Sequence, residues 1–157
     1  MYSSAKKHGL NRVALISSIQ AMNGKKTETE FCARHRVVSK NIYGLTKACQ
    51  EVIAETFFNS DNIETAAFRI GYVIDGASMT DKYDRNLSEF EKGMIDRFDI
   101  GIAIKNSFDN ISFGKLGFKV FFLDGGTSKV ETGDVDDACR ILNWQPKFFN
   151  DNFDAFI

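Results

Sequence analysis

Tyr43-Gly-Leu-Thr-Lys47 is the segment best equipped for chemistry. Its tyrosine and lysine stand at i and i+4, on one helical face and one turn apart. An ammonium beside a phenol favours the phenolate and lowers a tyrosine pKa from its usual value of about 10. Such a pair suits a general acid or base working on an alcohol or ketone. Ser17-Ser18 follows an apolar run, Val13-Ala-Leu-Ile16. In open parallel sheets ligands bind beyond the carboxyl ends of strands, where a hydroxyl can hydrogen-bond a substrate oxygen. Each feature alone has a plainer reading. Tyrosine and lysine four apart occur by chance, as a half-buried ring beside a solvated amine. Serines commonly end strands and begin turns.

Other groupings are weaker. Cys32-x-x-His35 has the spacing of half a metal site, but a matching second pair is missing and no metal is expected. Arg34, His35, Arg36 and Lys40 form a basic run that reads as a solvated loop, or more sharply as a contact for a substrate phosphate. Asp134, Asp136 and Asp137 suit the first turn of a helix better than a cation site. The 15 phenylalanines, many between Phe108 and Phe156, read as core and partner-facing surface.

The elements that must position these residues alternate between short apolar runs and longer amphipathic stretches. That alternation predicts an α/β fold with parallel strands. Tyr2 to His8 reads as the end of a helix, stopped by Gly9. Val13 to Ile16 reads as a strand covered on both faces. Gly24 to Ser39 is polar and predicts a long loop. Tyr43 to Phe58 is the strongest helix, with Leu45, Cys49, Val52, Ile53 and Phe57 as its apolar stripe. Thr65 to Ile74 predicts one buried strand and Gly76 to Ser88 a loop. Leu87 to Phe98 predicts a short helix running into a short strand, and Ile100 to Ile111 a helix. Lys119 to Leu123 predicts a third strand, closed by the turn Asp124-Gly125-Gly126. Asp134 to Leu142 predicts a last helix. Cys49 and Cys139 are expected inside helices, facing the core.

Length and composition bound the function. The chain has 157 residues, 43% of them apolar and 26% charged. One domain over residues 1–157 is expected, able to bury roughly 68–70% of its unfolded surface. With 20 Lys+Arg against 21 Asp+Glu, binding nucleic acid by bulk electrostatics is excluded. Three cysteines without a framework argue against a disulfide scaffold and for a reducing compartment. No apolar run approaches the roughly 18 residues of a membrane helix. Met1 to Gly9 lacks the apolar core of a signal peptide. A cytoplasmic protein that binds neither membrane nor nucleic acid is therefore expected.

Four segments in order add up to a resemblance. They are Arg12-Val-Ala-Leu-Ile-Ser-Ser18, Tyr43-Gly-Leu-Thr-Lys47, Ala67-Phe-Arg-Ile-Gly-Tyr-Val73 and Ala138-Cys-Arg-Ile-Leu-Asn-Trp-Gln-Pro146. Together they resemble the extended short-chain dehydrogenase/reductase superfamily, the NAD-dependent epimerase/dehydratase type, from about Lys6 to Phe148. The resemblance implies a partial Rossmann-like, doubly wound parallel sheet and an NAD or NADP cofactor. It implies a small-molecule substrate such as a nucleotide sugar or another secondary alcohol or ketone. By position, Tyr43 matches the catalytic acid/base. Lys47 matches the residue that lowers the tyrosine pKa and holds the nicotinamide ribose. Ser18 matches the hydroxyl that orients the substrate oxygen, with Ser17 as its substitute. Ile70 and Gly71 match the stretch near the nicotinamide.

The departures are as informative as the matches. The glycine-rich turn that cradles a pyrophosphate on a helix N-terminus is absent. Gly125-Gly126 is followed by Thr-Ser-Lys, with no third glycine at the right spacing. Asn143 stands where the family has glycine before its tryptophan. The chain thus reads as the C-terminal half of an extended dehydrogenase, with weak dinucleotide binding on its own. Its Arg12 to Ser17 strand is expected to be an exposed sheet edge, favouring a homo-oligomer or a partner carrying the N-terminal half. Two other readings stay open: a catalytically inactive binding or assembly module, and an unrelated α/β domain with converging motifs.

Overall fold

The computed structural model describes residues 1–22, 39–91, 93–125 and 135–147. Three parallel strands form the main sheet: β1 (Arg12–Ser18), β2 (Glu64–Ile70) and β6 (Phe118–Leu123), in the order β1-β2-β6. Helices α1 (Tyr2–Lys7) and α2 (Ile42–Asp61) cover one face. Helices α3 (Arg97–Asp109) and α4 (Val135–Leu142) cover the other. A small sheet of β3 (Tyr72–Asp75), β4 (Thr80–Asp81) and β5 (Met94–Asp96) follows, in the order β4-β3-β5. The expected doubly wound parallel architecture is present. Among the described residues β1 is an edge of the sheet.

The period of two along each strand divides the core. Val13, Leu15, Ala67, Phe118 and Val120 meet Tyr2, Ala5, Ala54 and Phe57 on the α1/α2 side. Ala14, Ala66, Phe68, Ile70, Phe121 and Leu123 meet Ile100, Ala103, Ala138, Leu142 and Trp144 on the other. Tyr2 stacks on Phe57, and Phe68 on Phe121. Gly9 ends the first helical segment at a φ of 68°, as its sequence position predicts.

Several element assignments change. The predicted strand Thr65 to Ile74 is two strands in two sheets, parted at Gly71. A Cβ there would be driven into the Gly93 carbonyl oxygen, so glycine lets the two segments touch. The predicted helix within Leu87 to Phe98 is absent among the described residues. Its end is β5, and α3 starts at Arg97 because Asp96 caps it, accepting a hydrogen bond from the Phe98 N–H at 2.7 Å. The predicted Gly76 to Ser88 loop contains β4. The Gly24 to Ser39 loop and Asp134 lie almost wholly outside the described residues.

The stripe assigned to α2 is also corrected. Gly44, Ala48, Glu51 and Ala54 face the sheet, while Leu45, Val52 and Ile53 are about half exposed. Cys49 is exposed and Cys139 half-buried, so neither is a full core position. Small side chains let a helix approach a sheet closely, and this requirement outweighs the apolar content of the larger residues. Phe57 keeps its expected inward place.

Candidate active site

The carboxyl ends of the three parallel strands make one rim. Ser18 and Ile70 are direct partners across β1 and β2, and Ile70 partners Leu123 across β2 and β6. Helix α2 begins above this rim. Asn41 caps it by accepting the Gly44 N–H at 2.7 Å, and its side-chain amide donates to Gln20 Oε1 at 3.1 Å. Gln20 belongs to the 3-10 turn Ile19–Met22 that continues directly from Ser18. Gly44 lies so close to the Gln20 carbonyl and Ser39 Oγ that a Cβ would collide with both. The first turn of α2 is therefore pressed onto the end of β1.

This seating decides where the sequence-predicted residues stand. Lys47 Nζ donates to the Ile16 carbonyl oxygen at 2.8 Å, one residue before the Ser17-Ser18 pair. The same ammonium lies 5.8 Å from the Tyr43 ring centroid. Tyr43 itself is 55% exposed. An ammonium carries three donors, so the Ile16 bond leaves two for a ligand. Ser18 Oγ accepts the Gln20 N–H at 3.2 Å, which leaves its own O–H to donate. Ile70 is buried at the rim beside Ser18, and Gly71 is engaged with the Gly93 backbone. Tyr43, Lys47, Ser18 and Ile70 thus share one end of the sheet. Gly71 continues from it toward the small sheet.

One layer below lies a buried network of Ser17, Glu51 and Arg69, of which only Ser17 stands among the sequence-predicted site residues. Glu51 accepts from Ser17 Oγ on one carboxylate oxygen and from Arg69 Nε at 3.0 Å on the same oxygen. Its other oxygen accepts from Arg69 Nη2 at 2.7 Å. All three residues are buried, with exposures of 3% or less. The signals were there: a charged residue inside Ala66-Ala-Phe-Arg-Ile70, and a glutamate four residues beyond Lys47.

Of the weaker groupings, Cys32, Arg34, His35 and Arg36 lie outside the described residues. Lys40 is exposed. Asp137 pairs with Arg140 at 2.6 Å and with Lys119 at 3.2 Å. The Arg140 hydrogen bond, against some burial, holds its carboxyl below the ordinary range. Among the described residues there is no cluster of metal-ligating side chains, and no helix is long and apolar enough to cross a membrane.

No protein-family model matches the sequence, and neither does any curated protein. Solved structures do match by shape. A mutated uronate dehydrogenase superposes on 93% of this chain and 48% of its own, with 23% identity and a TM-score of 0.70. The UDP-N-acetylglucosamine 4-epimerase from Bacillus cereus covers 94% of this chain and 63% of its own, with 11% identity and a TM-score of 0.70. The dTDP-glucose 4,6-dehydratase from Bacillus anthracis, solved with NAD, covers 90% of this chain and 48% of its own, with 13% identity and a TM-score of 0.60. The chain therefore has the Rossmann-like α/β fold of these enzymes, and it spans about half the length of the uronate dehydrogenase and the dehydratase.

Proposed function

We propose that the chain is a member of the extended short-chain dehydrogenase/reductase superfamily and carries the catalytic part of an NAD(P)-dependent dehydrogenase, epimerase or dehydratase. Its substrate would be a nucleotide sugar or another secondary alcohol or ketone. One observation supports this reading: the first turn of α2 is seated on the turn that follows β1, with Lys47 Nζ on the Ile16 carbonyl and Tyr43 exposed one turn before it. Ser17 has its hydroxyl committed to Glu51, so Ser18 is the hydroxyl left to meet a ligand.

The residues on the rim fit the nicotinamide-ribose end of a dinucleotide. Two free ammonium donors on Lys47 suit ribose hydroxyls. A glycine-rich cradle for the pyrophosphate is absent from the sequence. When bound, the nicotinamide supplies hydride exchange with the substrate carbon. This chain's own residues handle the rest. Ser18 donates its O–H to the substrate oxygen and orients it. Tyr43 takes the hydroxyl proton at its phenol oxygen, or returns it in the reverse direction. Lys47 keeps its ammonium on the Tyr43 side of the helix, 5.8 Å from the ring centroid.

Nicotinamide mononucleotide tests this, because it carries the nicotinamide and ribose without the adenosine half. Titrated into 15N-labelled protein, it is expected to shift the amide signals of Ser18, Tyr43, Lys47 and Ile70. Lys47→Ala is expected to abolish those shifts while circular dichroism stays unchanged. Shifts confined to other residues, or none at millimolar ligand, would overturn the reading and favour a binding module without dinucleotide chemistry.

A further inference from the structure

We infer that Glu51, held by Arg69 and Ser17, is the positioning residue that sets the rotation of α2 and so the placement of Tyr43 and Lys47 over Ser18. The inference rests on the catalytic reading of that rim. The geometry is helical. Four residues advance about 400° around a helix axis, or about 40° beyond a full turn. Tyr43, Lys47 and Glu51 therefore form a slow spiral on α2. It runs from an exposed ring, through a half-buried lysine, to a carboxylate sealed against the sheet. Whatever fixes the buried end of the spiral fixes the exposed end.

Glu51 is fixed from two strands at once. Ser17 and Arg69 are direct partners across β1 and β2, so their side chains emerge on the same face, side by side beneath α2. Arg69 presents its planar fork through Nε and Nη2, one bond to each Glu51 oxygen. A bidentate pair constrains orientation as well as distance. Arg69 is itself anchored, since Nη1 donates to the Met22 sulfur at the end of the 3-10 turn. The network thus ties together α2, both strand ends and the turn that receives Gly44.

The leverage is large. Side-chain tips lie about 6 Å from a helix axis, so a rotation of about 10° moves them by about 1 Å. A misplacement of about 1 Å costs on the order of 10²-fold in a reaction that depends on alignment. A hydrophobic contact in place of Glu51 would hold α2 against the sheet but would leave this rotation soft.

The test compares Glu51→Ala, Glu51→Gln and Ser17→Ala with Glu55→Gln, an exposed control on the same helix. Two readouts are taken on folded protein: the NMR signals of the Tyr43 ring and Lys47 amine, and the affinity for nicotinamide mononucleotide. Glu51→Gln keeps an acceptor oxygen and is expected to restore much of what Glu51→Ala loses. The expected order of displacement is Glu51→Ala, then Glu51→Gln and Ser17→Ala, with the control unchanged. Affinity is expected to fall at least tenfold in Glu51→Ala. If Glu51→Ala fails to fold, Glu51→Gln and Ser17→Ala carry the comparison. Tyr43 and Lys47 signals that stay in place while thermal stability drops would show a purely structural ion pair and overturn the inference. Wild-type protein blind to the mononucleotide would instead sink the catalytic reading, and the two side-chain signals would still decide the positioning role.

Discussion

Asn143 adopts a left-handed conformation, with a φ of 50°, immediately after α4. Asparagine suits this position, since it enters the left-handed region more readily than other non-glycine residues. Asn143→Gly is expected to change stability by less than about 1 kcal/mol, and Asn143→Val to cost roughly 1–2 kcal/mol. Urea unfolding followed by the fluorescence of Trp144 reads both, because this indole is buried and donates to the Asp99 carbonyl at 2.8 Å. Glu64 poses a sharper case. Burial pushes its carboxyl up, but the Arg12 hydrogen bonds and the N–H groups of Gly117 and Leu116 outweigh it and hold the group below its ordinary value of 4.5. The folded pKa is the depressed one, so this stabilisation is present above pH 4.5 and is lost as pH falls through the lower folded value. Glu64→Gln should therefore flatten the acid limb of the stability curve. Glu64→Ala removes the ion pair and the acceptor of the Leu116 and Gly117 N–H groups, while Arg12 keeps the Ile111 and Ser112 carbonyls at 2.6 and 3.0 Å. It should cost roughly 3 kcal/mol near neutral pH, the low end for a broken buried pair. An unchanged acid limb in Glu64→Gln would show that other carboxylates control it.

At the scale of the element, α2 shows how a helix can turn its small residues inward. Gly44, Ala48 and Ala54 give close approach, and Glu51 supplies the polar tie. Two substitutions separate this arrangement from the stripe that periodicity suggests. Leu45→Ala removes a large apolar side chain that is about half exposed. It should shift stability by no more than about 0.5 kcal/mol. Gly44→Ala adds one methyl against the Gln20 carbonyl and Ser39 Oγ. It should cost roughly 1–3 kcal/mol as an overpacked contact. It should also displace the Tyr43 and Lys47 signals, because the first turn must lift from β1. The opposite ranking in thermal melts would restore Leu45 to the core-facing side.

For the molecule as a whole, the edge at β1 is the main consequence of the sheet order. Its inner side pairs with β2 along Arg12 to Ser18. Among the described residues the other side meets no strand. Ile16 is 42% exposed beside it. Unpaired backbone groups next to apolar side chains invite strand pairing. Light scattering after size exclusion is expected to show mass rising with concentration. Amide exchange should be faster at alternate residues of Val13 to Ile16 than anywhere in Thr65 to Ile70. A clean monomer at high concentration, with β1 amides as slow as those of β2, would mean that the edge is closed.

The sequence by itself determined the class of fold and the order of its main elements. The unbroken apolar run at Val13–Ile16, the strand pattern of Lys119–Leu123 and a long helix from Tyr43 are local patterns that need no tertiary context. It also placed Tyr43 and Lys47 one turn apart, since helical spacing alone decides that. Tertiary structure decided what lies beneath them. Which face of α2 turns inward depends on how closely β1 and its turn approach, and Gly44 and Ala48 outweigh Leu45 in that contest. The break at Gly71 arises from contact with Gly93, twenty-two positions away and invisible to a local pattern. The union of Ser17, Glu51 and Arg69 likewise joins β1, α2 and β2. A charge survives in that core only when partners from separate elements meet it there, and such a meeting is a property of the folded chain.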